Sequence, residues 1–151
     1  MIINNTTNVS DRIIQEICNI VIPDNTPVIN EISLRNKMEG AIHGNWGHFY
    51  PADYKITICL PDSNKLKGHK TYRKYTKLEA YYESDLDFLA AVIGHEYYHA
   101  YQWSNIELRA FWSCTEWLEV EAERYESVAL KKWQIYMDSL GVYKAVATTG
   151  K

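Results

Sequence analysis

The residues best suited to chemistry are His95, Glu96 and His99, in the string His95-Glu96-Tyr97-Tyr98-His99. On a helix, side chains four apart lie on one face a turn apart, so both imidazoles can reach a single zinc ion. Glu96 follows His95 by about 100° of rotation, which sets its carboxylate beside the open coordination position and not among the ligands. From there it can act as general base on a metal-activated water and pass the proton to a leaving amine. This is the physical content of the H-E-x-x-H pattern, and zinc is the cofactor it predicts.

A catalytic zinc takes three protein ligands and keeps one position open. The third is expected from the next helix, which carries Glu116, Glu119, Glu121, Glu123 and Glu126. Ala122, Ala129, Leu130, Trp133 and Met137 mark that helix's core face. Glu119 and Glu123 fall on it, Glu116 and Glu126 near its edges, and Glu121 points away with Arg124, Lys131 and Lys132. Glu119 is therefore expected as the ligand, with Glu116 as the alternative. Glu123, one turn on, is expected to accept a hydrogen bond from a ligand histidine. A donor for the developing oxyanion is also needed, and His43, His48, Tyr98 and Tyr125 are candidates.

These residues resemble those of a zincin peptidase of the gluzincin type. Val92-Ile-Gly-His-Glu-Tyr-Tyr-His-Ala-Tyr-Gln102 resembles the active-site helix of SprT-like and ImmA/IrrE-like peptidases. Glu119-Val-Glu-Ala-Glu123 resembles the E-x-x-A-D segment of HtpX-like and CAAX-prenyl proteases, with Glu in place of the usual Asp. The resemblance spans about Tyr54 to Leu130. It implies an α+β zincin-like fold, peptide-bond hydrolysis, a peptide or protein substrate, and a first glutamate on zinc supported by the acid four later. It also implies that the strand preceding the active-site helix, here Tyr54 to Leu60, is a sheet edge on which an extended substrate pairs.

The elements that must position these groups are legible in outline. Ser84-Asp-Leu-Asp87 reads as a capping box opening a helix to about Trp103. That helix is apolar nearly all round, as a buried helix is: Phe88, Ala91 and Val92 share the histidine face, and Leu86, Ile93 and Ala100 lie opposite. Ser113-Cys-Thr-Glu116 is a second such box, for a helix to Leu140 stopped by Gly141. Near the N-terminus, Ser10 is expected to cap a helix to Val21, with Ile13, Ile14, Ile17, Cys18 and Val21 as its apolar stripe. Between about Pro27 and Leu60 the pattern is of strands, Tyr54, Ile56, Ile58 and Leu60 sharing one face of the last. A small, mostly antiparallel sheet is expected, within a single domain over residues 1–151.

Composition bounds the alternatives. The chain has 151 residues and a net charge of -3, which gives no general affinity for nucleic acid. Yet Lys65, Lys67, Lys70, Arg73, Lys74 and Lys77 form a basic run without an acid, interleaved with Tyr72 and Tyr75. A nucleic-acid-binding role, or a DNA-associated SprT-like protease, is the alternative this run supports; a solvated loop or flap over the site is the plainer reading. A second alternative is a non-catalytic protein stapled by structural zinc, which would require a closed set of four ligands. Cys18, Cys59 and Cys114 are widely spaced and contain no Cys-x-x-Cys pair, which predicts free thiols in a reducing compartment. No secretory leader and no apolar stretch of membrane-spanning length is recognisable, so a cytoplasmic location is expected.

Overall fold

A computed structural model describes residues 1–26, 28–36, 47–60, 70–105 and 115–140. The fold is α+β. In chain order the elements are β1 (Ile2–Asn5), α1 (Asp11–Val21), β2 (Glu31–Asn36), β3 (Gly47–Tyr50), β4 (Lys55–Leu60), β5 (Lys70–Tyr72), β6 (Glu79–Tyr81), α2 (Asp85–Ser104) and α3 (Thr115–Ser139). Among the described residues no helix is long and apolar enough to cross a membrane.

Helix α1 starts as its sequence dictates. The Ser10 hydroxyl accepts a hydrogen bond from Ile13 N at 3.3 Å, satisfying one of the free amides of the first turn. Ile14, Ile17, Cys18 and Val21 then form a fully covered stripe against the sheet and α2. The apolar positions of β2 and β4 complete this core: Ile32, Leu34, Ile56 and Ile58 are completely buried.

The main sheet has the order β1-β2-β4-β3. β1 pairs with β2 and β2 with β4 in parallel; only β3 is antiparallel, on β4. The expectation of a mostly antiparallel sheet is therefore corrected. Ile2–Asn5 forms a strand, and α1 is the crossover that returns the chain to β2 in the same direction, as a βαβ unit requires. The expectation that Tyr54 to Leu60 is a sheet edge is also corrected, since β4 is hydrogen-bonded on both sides. The preceding turn folds β3 back along its outer side: Tyr54 adopts a left-handed φ of 46° and donates its N–H to Pro51 O at 3.4 Å. Among the described residues the edge on that side of the sheet is β3.

Helix α2 contacts α1, α3, β3 and β4. Its cap differs in detail from a capping box: the Ser84 side chain makes no cap hydrogen bond. Asp87 Oδ2 instead accepts from Glu83 N at 2.8 Å and from Gln134 Nε2 of α3 at 3.1 Å, tying the start of α2 to its neighbour. One residue before His95, α2 and α3 come into close contact. A β-carbon on Gly94 would stand 2.3 Å from Ala129 Cβ, so only glycine permits this approach. Ser113, Cys114 and Gly141 lie outside the described residues, as do Lys65, Lys67 and His43.

Candidate metal centre

The close meeting of α2 and α3 brings the acidic face of one against the histidine face of the other. His95 Nε2 lies 3.0 Å from Glu119 Oε2, and His99 Nε2 lies 3.0 Å from Glu119 Oε1. The two imidazoles thus aim the same nitrogen at one carboxylate, with ring centroids 4.9 Å apart. Each residue of this trio can offer one ligand atom within 4.8 Å of the others. The set expected from sequence, His95, His99 and Glu119, is brought together; Glu116 is not part of it.

The outward nitrogens are also held. His95 Nδ1 donates to Glu126 Oε1 at 3.0 Å, and His99 Nδ1 to Gln102 Oε1 at 2.8 Å. Gln102 is itself fixed, its Nε2 donating to Leu118 O at 3.0 Å. A metal-ligating histidine ordinarily has its other N–H engaged in this way, which sets the tautomer and turns the remaining nitrogen inward. Among the described residues the donor set is two imidazoles and a carboxylate, of a kind that suits zinc. Zinc therefore fits the residues present.

The acceptor on His95 is Glu126, and this corrects the expectation for Glu123. Residues four apart on α3 differ by about 40° in azimuth, whereas Glu119 and Glu126, seven apart, differ by about 20° and so face α2 together. Glu123 turns toward the loop joining β5 and β6. It accepts from Tyr75 N at 3.1 Å, from Thr76 N at 2.9 Å and from Thr76 Oγ1 at 3.0 Å. Glu126 was placed near the edge of the core face from its sequence position; it is buried there.

Electrostatics follow from these contacts. Burial alone would lower the His95 pKa, but the hydrogen bonds to Glu119 and Glu126 outweigh it and hold the ring well above the ordinary histidine value. Burial would raise Glu119, but His95 and His99 together hold it far below the usual carboxylate range. Glu96 behaves oppositely. Its burial outweighs the pull of the two histidines, and its pKa is raised.

Glu96, His95, His99, Glu119 and Glu126 line one cleft of about 710 Å³. The edge strand lines it through Gly47, His48 and Phe49, and the end of β5 and the turn after it through Tyr72, Arg73, Lys74 and Tyr75. Of the three described candidates for the oxyanion donor, only His48 lines this cleft. Tyr98 and Tyr125 do not: their rings stack on each other at 5.1 Å, and the Tyr125 hydroxyl donates to Val21 O at 2.5 Å. Both therefore serve packing between helices, which corrects their candidacy. Of the basic run, Arg73 pairs with Glu126 and donates to the Tyr82 hydroxyl, so its charge is engaged internally.

The chain matches no protein-family model, no curated protein and no solved structure.

Proposed function

We propose that the protein is a zinc-dependent metallopeptidase, with His95, His99 and Glu119 as ligands and Glu96 as general base. The observation that carries this reading is the convergence of both Nε2 atoms on the Glu119 carboxylate, in a cleft that the buried Glu96 also lines. A bound zinc would supply a Lewis acid and lower the pKa of a water in its open position.

The protein's own groups do the rest. Glu96 takes the proton from the attacking water and returns it to the amine that leaves, so it ends the cycle as it began. His48, which lines the cleft, is our proposed donor to the oxyanion. The side of β3 left unpaired among the described residues offers backbone N–H and C=O groups to an extended peptide, which holds the chain along the cleft with little demand on its side chains. A peptide or protein segment in extended conformation is therefore the substrate class. A structural zinc would leave Glu96 without a task and needs a fourth protein ligand, which the described residues do not provide. Of the basic run, Arg73 is committed to Glu126 and Tyr82 and so is not available to a nucleic-acid phosphate. Cys18 is a buried thiol outside any disulfide among the described residues, which is compatible with the reducing, cytoplasmic setting we propose.

Hydrolysis of a library of quenched fluorescent peptides by zinc-loaded wild type and by Glu96→Gln tests this. Glu96→Gln is expected to keep its zinc and lose roughly 10²–10⁴-fold in kcat. Equal activity in the two proteins would refute the assignment of Glu96.

A further inference from the structure

Glu126 uses both of its oxygens. Oε1 accepts from His95 Nδ1 at 3.0 Å, and Oε2 pairs with the Arg73 guanidinium. Arg73 also donates to the Tyr82 hydroxyl and lies over that ring, its Cζ 5.7 Å from the centroid. The Arg73 and Glu126 side chains are only 16% and 7% exposed. Taking an arginine out of water is expensive unless a defined partner compensates it, and the rest of a basic segment would ordinarily stay in solvent. Here the one largely covered cation of the turn after β5 is matched to the carboxylate that holds His95, a proposed metal ligand.

We infer that Arg73 is a positioning residue of the metal centre, acting through Glu126 to fix the His95 ring. The inference rests on the metal site proposed above. The guanidinium pairs with Glu126 Oε2 and so holds the carboxylate in one rotamer; that carboxylate then fixes the His95 ring with Nε2 turned toward Glu119. Docking of the β5–β6 hairpin and metal binding are thereby coupled. Glu123 holds the same turn by its backbone at Tyr75 and Thr76, so loss of Arg73 need not release the hairpin as a whole.

The experiment is zinc affinity by chelator competition, with the visible spectrum of the cobalt-substituted protein, for wild type, Arg73→Met, Arg73→Lys and Arg124→Met. Arg124 pairs with Glu121 at the surface of α3 and controls for loss of a positive charge. Arg73→Met is expected to bind zinc about 10–100-fold more weakly and to shift the cobalt bands. Arg73→Lys should recover part of the affinity, and Arg124→Met should match wild type. Wild-type affinity and an unshifted cobalt spectrum in Arg73→Met would overturn the inference while leaving the metal site intact, as would Arg73→Lys losing as much as Arg73→Met. Failure of the wild type itself to bind zinc would overturn the underlying metal site instead. Circular dichroism checks folding; should Arg73→Met not fold, Tyr82→Phe removes only the hydroxyl partner of Arg73. It is expected to weaken zinc binding a few-fold, and unchanged affinity would count against the coupling.

Discussion

Gly47 and Glu96 are so close that a β-carbon on the glycine would stand 2.9 Å from Glu96 Cγ and 3.0 Å from Glu96 Oε2. The edge strand thus presses its bare backbone against the proposed general base. Val92 Cγ1, at 2.9 Å from the same point, closes the other side. Alanine at position 47 must displace the Glu96 carboxylate, because the neighbouring backbone cannot recede without unpairing β3 from β4. Displacement by about 1 Å in such a position costs on the order of 10²-fold in rate. Gly47→Ala is therefore expected to lose about that much kcat on a peptide substrate while keeping its zinc. Wild-type kcat in this variant would show that Glu96 has room to spare and that the contact is incidental.

Glu123 and Glu126 should separate cleanly by mutation. Glu123→Ala strands two backbone amides and the Thr76 hydroxyl. Leaving such donors without partners costs about 1–3 kcal/mol, which lowers Tm by roughly 2–12 °C in a chain of this size. Zinc affinity should stay within about threefold of wild type, since Glu123 touches neither histidine; the reference for a lost histidine acceptor is about 10–100-fold. Calorimetric melting and chelator competition measure the two quantities on the same sample. A large loss of zinc affinity in Glu123→Ala would return to Glu123 the supporting role that Glu126 holds here.

Metal removal should make stability depend on pH in a definite direction. In the metal-free protein the raised His95 pKa contributes stability that is complete below the unfolded value of about 6.5 and is lost as pH rises through the folded value. The lowered Glu119 pKa contributes stability that is complete above about 4.3 and is lost as pH falls through its folded value. From these two groups, chelated protein is most stable between about pH 4.3 and 6.5 and weakens toward alkaline pH. Zinc competes with the ring protons, so its affinity rises with pH. The Tm difference between zinc-loaded and chelated protein should widen from about pH 6 to pH 9. A difference that stays constant or narrows over that range would contradict the proton competition.

Much of the site is legible in the sequence because helical geometry is rigid. The spacing of His95 and His99 leaves one possible arrangement on a helix, and the apolar surround of α2 announces its burial. Glu119 follows from the face of α3 that carries Ala122 and Ala129. Glu126 lies near the edge of the apolar stripe, which hides its role; its seven-residue interval from Glu119, two turns less about 20°, is the signal that places both toward α2. The sheet was harder. Ile2–Asn5 is a short run that becomes a strand only by pairing with β2, a partner some thirty residues away, and such pairing is set by tertiary packing more than by local preference. The same holds for the β5–β6 hairpin, whose basic run reads as solvated until Glu126 and Tyr82 appear beside Arg73. Tyr98 and Tyr125 could not be told from catalytic tyrosines without knowing which side of the helix pair faces the cleft.

The most direct test is the zinc content, by elemental mass spectrometry, of the purified chain and of its Glu119→Ala variant, both equilibrated with the same limiting free zinc. The wild type is predicted to hold about one zinc per chain, and the variant, left with two imidazoles, less than about a tenth of that. Absence of zinc from the wild type, or equal zinc in the variant, would contradict a centre built from His95, His99 and Glu119.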